Sequence, residues 1–173
     1  MRKKIRNIDF TILDWIQSKC RCRTMDCIMP KVTMLADKGI MWILLALAMT
    51  AYKPLRYCGV MLITGLLSGV IIGNVIIKNL VARDRPCWIN ERSDMLISIP
   101  PDYSFPSGHT LASIISSVIL MDSVKSLGIL AVVISAGIAF SRMYLYVHFP
   151  SDILGGTILG IFISYLVIDF IPH

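Results

Sequence analysis

Charge is scarce in this sequence. Only 16% of the 173 residues are Asp, Glu, Lys or Arg, 55% are hydrophobic, and mean hydropathy is +0.71. A soluble domain is typically about 25% charged and about 45–50% apolar. One small core could not hide this much apolar surface from water, so a soluble domain is excluded first. Cysteine is sparse and unpatterned. Cys20, Cys22, Cys27, Cys58 and Cys87 form no C-x-x-C pair, and the first three lack a fourth zinc ligand at ordinary spacing. They read as reduced thiols without a chemical role. No D-x-D, H-x-H or H-E-x-x-H cluster occurs, so neither a metal site nor a cofactor is expected. Internal repeats and low-complexity linkers are also missing. Nor does a signal peptide show: Asp9 and Asp14 interrupt the first apolar residues, and no small-residue cleavage site follows.

Long apolar runs fill the rest. A bilayer-spanning helix needs about 20 such residues, and candidates fall at 36–52, 57–77, 107–124, 127–146 and 152–171. The intervening turns near 53–56 and 122–126 are short, so each joins antiparallel neighbours. The segments 78–106 and 147–152 must then meet on the opposite face. Residues 5–20 carry Ile5, Ile8, Phe10, Ile12, Leu13, Trp15 and Ile16 at near-helical spacing among Asp9, Asp14 and Lys19. That pattern predicts an amphipathic helix in the membrane interface, with 25–35 extending it or entering the bilayer part way. The expected fold is all-α: a polytopic membrane bundle of five to six helices. Residues 1–35 form an N-terminal interfacial segment, and 36–173 a single transmembrane domain.

The formal net charge is +6 and the pI about 9.2. In a membrane protein this balance points to anionic lipid headgroups and a phosphate-bearing substrate rather than to nucleic acid. Three clusters fall on one side of the bundle. Lys78, Arg83 and Arg85 end the second span, where a cation needs water, a partner or a ligand. Pro106, Ser107, Gly108 and His109 start the third. Ser107 can cap that helix, the helix start offers unpaired N–H groups to an anion, and Gly108 lets the anion approach the backbone. Arg142 sits in an otherwise apolar helix, which is costly unless it faces a cavity or partner. His148 closes that helix, and Asp152 four residues on gives a nucleophile-plus-orienter pattern.

These clusters resemble the tripartite signature of the type 2 phosphatidic acid phosphatase superfamily: K-x6-RP, then PSGH, then SR-x5-H-x3-D. Lys78 with Arg85-Pro86, Pro106 to His109, and Ser141-Arg142 with His148 and Asp152 match every position and both internal spacings. The superfamily includes membrane lipid phosphatases, glucose-6-phosphatase, acid phosphatases and vanadium haloperoxidases. The resemblance implies a metal-independent hydrolase that cleaves a lipid phosphate monoester or diphosphate through a phosphohistidine. It makes His148 the nucleophile, Asp152 its orienting carboxylate and His109 the acid for the leaving oxygen. Lys78, Arg85, Arg142, Ser107 and Gly108 would bind the phosphate. Undecaprenyl diphosphate, phosphatidate and phosphatidylglycerophosphate are the candidate substrates, and Arg83 and Arg92 are read as spare cations for a second phosphate. A lipid carrier would need neither nucleophile nor acid, and haloperoxidases of this kind are soluble. Relatives face the site away from the cytoplasm. Lys53, Arg56 and Lys125 on the opposite turns agree, which places the site on the extracytoplasmic side of a bacterial cytoplasmic membrane. Residues 8–35 must then either cross the bilayer or lie on its outer surface.

Overall fold

In the computed structural model, residues 2–90 and 94–171 are described, and within them every regular element is a helix. The elements are α1 (Arg2–Lys19), α2 (Arg23–Met34), α3 (Ile40–Ala51), α4 (Arg56–Gly69), α5 (Lys78–Val81), α6 (Pro86–Ile89), α7 (Gly108–Ser123), α8 (Lys125–Tyr144) and α9 (Pro150–Phe170). A wide-turned π-helical stretch, Val70–Ile77, carries α4 into α5 without a break. Four helical stretches of the described residues are long and apolar enough to cross a bilayer: 23–51, 53–89, 125–144 and 150–170. Together with the shorter α7 they account for the five expected spans. The chain is an integral membrane helix bundle.

Helix α7 is the axis, packed against α4, α8 and α9. Gly65, Gly69 and Gly73 repeat every fourth residue along α4 and make that approach possible. A Cβ at Gly65 or Gly69 would stand 2.7 Å from an Ile115 methyl group. Small residues at such spacing are how membrane helices gain packing where no hydrophobic force separates them from lipid. Polar groups where α7 meets α3 and α8 are paired, as a water-free interior requires. Trp42 Nε1 donates to Ser113 Oγ at 3.1 Å, and the Ser117 and Ser135 hydroxyls meet at 2.8 Å.

Helix α1 shows three faces. Leu13 and Ile16 are buried against Tyr144–Phe149, and Asp9 points inward with them. Ile5, Ile8, Ile12 and Trp15 form an exposed apolar stripe, at the spacing of one helix side, while Asn7, Thr11, Asp14 and Ser18 form an exposed polar one. The stretch expected to lie in the membrane interface is thus also docked on the protein. Helix α2 follows it along α8 and belongs to the 23–51 stretch. Residues 35–39 carry α2 into α3, and Lys38 and Gly39 there both take positive φ. Asp37 then stands beside His109, so α1 and α2 lie on the same side as the three motif clusters.

Candidate active site

A cavity of about 710 Å³ opens where these clusters meet. Lys78, Arg85, His109, Arg142 and His148 all line it, although they come from the end of α4–α5, the start of α6, the start of α7, the end of α8 and the loop after it. Lys78 and Arg85 are buried, and Asp102 of the 90–107 loop bridges them. Lys78 Nζ lies 2.5 Å from Asp102 Oδ2, and Arg85 Nη2 lies 2.7 Å from Oδ1. Burial would raise the Asp102 carboxyl, but hydrogen bonding from Lys78 and the Arg85 charge outweigh it and hold it below the usual carboxylate range. Arg142 donates through Nη1 to Thr33 Oγ1 at 2.7 Å and leaves its buried Nε without a hydrogen-bond partner. Cations so placed are suited to the oxygens of a tetrahedral dianion.

His148 is completely enclosed. Arg85 Nη1 stands 3.1 Å from its Nε2 and also donates to Val147 O. A guanidinium can only donate, so Nε2 must accept and the ring proton belongs on Nδ1. Nδ1 lies 3.5 Å from Asp152 Oδ2, too far for a good hydrogen bond. Burial and then the Arg85, Arg142 and Lys78 charges push His148 well below its ordinary range. The imidazole is neutral, with its lone pair on the side of the cations. Asp152 accepts from Phe149 N–H at 2.8 Å and from Arg83 Nη1 at 2.6 Å. His109 lies across the cavity, its Nε2 3.5 Å from Asp37 Oδ1 and without a hydrogen bond.

This geometry joins the three clusters expected from the sequence. The chain matches the PAP2 superfamily over residues 53–173. It belongs to that superfamily. An undecaprenyl-diphosphatase of Sulfolobus acidocaldarius is 32% identical over 129 residues, covering 74% of this chain and 62% of that protein. Undecaprenyl-diphosphatase BcrC of Bacillus subtilis is 30% identical over 150 residues, covering 84% and 75%. Among solved structures, the PAP2-type phosphatidylglycerolphosphate phosphatase of Bacillus subtilis superposes with a TM-score of 0.79 at 25% identity, covering 96% of this chain and 86% of that one. Aquifex aeolicus LpxE gives 0.80 at 20% identity, with 94% and 96% covered, and so shares the fold.

Three expectations for this PAP2 site are revised by the structure. Arg83 is no spare cation: its guanidinium also bonds Asp9 Oδ2 at 2.7 Å and Ser151 Oγ at 2.6 Å and stacks 4.1 Å over Phe149. Arg92 lies outside the described residues. Ser107 faces inward, away from the cavity. Its hydroxyl accepts from Thr110 N–H and Thr110 Oγ1, and its own N–H donates to Asp152 O. Gly108 makes room for a side chain, since a Cβ there would lie 2.7 Å from Asn74 Oδ1. Sequence reasoning missed Asn74, Asp102, Thr33 and Asp9. Asn74 had a readable signal, a polar residue in a span and four residues before Lys78, hence on the same helix side. Asp102 follows a Pro-Pro pair in a polar loop and carries no pattern at all.

Arg83 holds two buried carboxylates at once. Arg83→Lys keeps one charge but not the fork. Losing one charge-assisted hydrogen bond costs about 1.5 kcal/mol, so kcat of lipid phosphate hydrolysis should drop about tenfold with KM little changed. Steady-state kinetics in detergent micelles would check this. A raised KM at constant kcat would place Arg83 in substrate binding instead.

Proposed function

We propose that this PAP2 protein is a membrane lipid phosphatase that works through a phosphohistidine, with undecaprenyl diphosphate its foremost substrate. The observation that carries the reading is the buried His148. Its Nε2 lone pair is turned toward the cavity cations by Arg85, and its Nδ1 faces Asp152. Lys78, Arg85 and Arg142 would hold the phosphoryl oxygens, aided by the Gly108 N–H. Nε2 would attack phosphorus, Asp152 would take up the Nδ1 hydrogen bond, and His109 would protonate the departing oxygen. Water, activated by His109, would then release inorganic phosphate from His148. Phosphoryl transfer needs mainly positioning and charge stabilisation, which three cations can supply.

The cavity also reaches Asn74, Val70, Gly69 and Leu66, the last twelve residues from Lys78 and so roughly 18 Å deeper along the helix. Ile43 and Val70 at its edge are exposed to the surrounding bilayer. A lipid could place its phosphate among the cations and its tail through this side. The preference for a diphosphate draws on the relatives named undecaprenyl-diphosphatase, since Arg83 is committed elsewhere. On this reading, residues 1–35 are an interfacial segment docked on the bundle 36–173. Their exposed apolar stripe meets lipid on the extracytoplasmic face of a bacterial cytoplasmic membrane, near anionic headgroups.

Phosphate release from undecaprenyl diphosphate, phosphatidylglycerophosphate and phosphatidate by the purified protein tests the reading directly. Turnover of the diphosphate at least tenfold faster than of the others is the expected result; no release from any of them refutes it. Activity should also survive EDTA, and vanadate should inhibit by taking the five-coordinate geometry of the transition state in the same cradle. A strict magnesium requirement would show that the three cations serve another purpose.

A further inference from the structure

The phosphate cradle already holds an anion supplied by the chain itself. Asp102 presents two carboxylate oxygens to two different cations, as a phosphate would, and its backbone carbonyl accepts from Arg85 Nε at 2.7 Å. The pairing is asymmetric in exposure. The Lys78 and Arg85 side chains are 8% and 2% exposed, whereas the Asp102 side chain is 51% exposed. A purely structural neutraliser of buried cations belongs behind them, but Asp102 sits in front, on the cavity wall. Its loop is clamped at both ends. Arg21 pairs with Asp94, Met95, Leu96 and Ile97 pack on the inner core, and Ser104 N–H donates to Arg83 O at 2.8 Å. Between the clamps, Pro100 and Pro101 restrict the chain and hold the carboxylate over the cations.

Resting on the phosphatase reading above, we infer that Asp102 is a resident counter-anion that competes with phosphate for Lys78 and Arg85, weakening the hold on product and speeding its release. While Asp102 is in place, Arg142 alone of the three cations has no carboxylate partner among the described residues. An incoming phosphoryl group must displace Asp102 from at least one cation, and affinity falls by the fraction of time the cradle is blocked. After water cleaves the phosphohistidine, the freed phosphate dianion lies against three cations. Return of Asp102 restores two of their pairings and drives it out. Asp102 thereby lowers affinity for substrate phosphate and product alike.

The test compares inorganic phosphate as a competitive inhibitor of the wild type, Asp102→Asn and Asp102→Ser, all in the same detergent, with Asp102→Glu as the charge-retaining control. Both neutral variants should show a Ki for phosphate about tenfold lower, with KM for the lipid lowered in parallel and kcat reduced by slower product release. Thermal unfolding gives a readout independent of turnover. The neutral variants should be less stable than wild type without phosphate but gain more on its addition, because only the native fold binds it. Asp102→Glu should stay near the wild-type Ki. An unchanged or raised Ki in the neutral variants would overturn the inference, since a carboxylate that merely aligns Lys78 and Arg85 weakens phosphate binding when lost. Failure of phosphate to inhibit or stabilise even the wild type would instead refute the phosphate site itself.

Discussion

His148→Ala should abolish turnover, lowering kcat by roughly 10³–10⁶-fold, the range seen when a covalent nucleophile is removed. The protein should stay folded, although His148 is completely buried, because each neighbour keeps another partner. Arg85 retains Val147 O and Asp102, and Asp152 retains Arg83 and the Phe149 N–H. The substitution removes an aromatic ring from a tight site, so some loss of thermal stability is expected without loss of the fold. Acid–base chemistry alone cannot explain a covalent intermediate, so a second measurement separates the roles. Wild-type protein quenched in base after mixing with phosphorus-labelled lipid should carry label in an acid-labile bond, and His148→Ala should carry none. Label on His148→Ala, or turnover above a few per cent of wild type, would move the nucleophile elsewhere.

The sequence made the spans and the motif residues legible for one physical reason: both are local patterns. Apolar length marks α4, α8 and α9, and fixed spacing ties His148 to Asp152 and Lys78 to Arg85. What supports the site is not local. Asp9 and Arg83 are 74 positions apart, and Thr33 and Arg142 are 109 apart. Nothing in the amphipathic pattern of α1 distinguishes Asp9 from the exposed Asp14. Asp9 also accepts the Ser151 N–H at 3.0 Å, so it steadies the first turn of α9 as well as Arg83. The N-terminal helix therefore reaches His148, the proposed nucleophile, through Asp9, Arg83 and Asp152. The inward turn of Ser107 is a related case, since the helix start uses its hydroxyl oxygen as acceptor for Thr110.

Arg142→Lys should lower kcat/KM by about 10²–10³-fold, or roughly 2–4 kcal/mol of transition-state stabilisation, the usual cost of one charged donor in a water-poor site. If Arg142 were only a snorkelling cation, lysine would serve nearly as well. Its environment argues otherwise. The residue is buried yet lines the cavity, its Nη1 is spent on Thr33 Oγ1, and its Nε has no hydrogen-bond partner. One edge of the guanidinium is thus anchored to α2 while the rest remains for a ligand. A lysine ammonium can take up the Thr33 bond or reach the phosphate, and its compact charge cannot span both. Thr33→Val completes the test. It removes the anchor but not the charge, so kcat/KM should fall by about tenfold, the worth of one hydrogen bond to a charged group. Arg142→Lys should change expression and thermal stability little, whereas Thr33→Val leaves a buried guanidinium N–H unpaired and should lower thermal stability by about 1–3 kcal/mol without loss of the fold. Near wild-type turnover in Arg142→Lys would make Arg142 a structural residue and leave Lys78 and Arg85, the pair that Asp102 bridges, as the whole phosphate clamp.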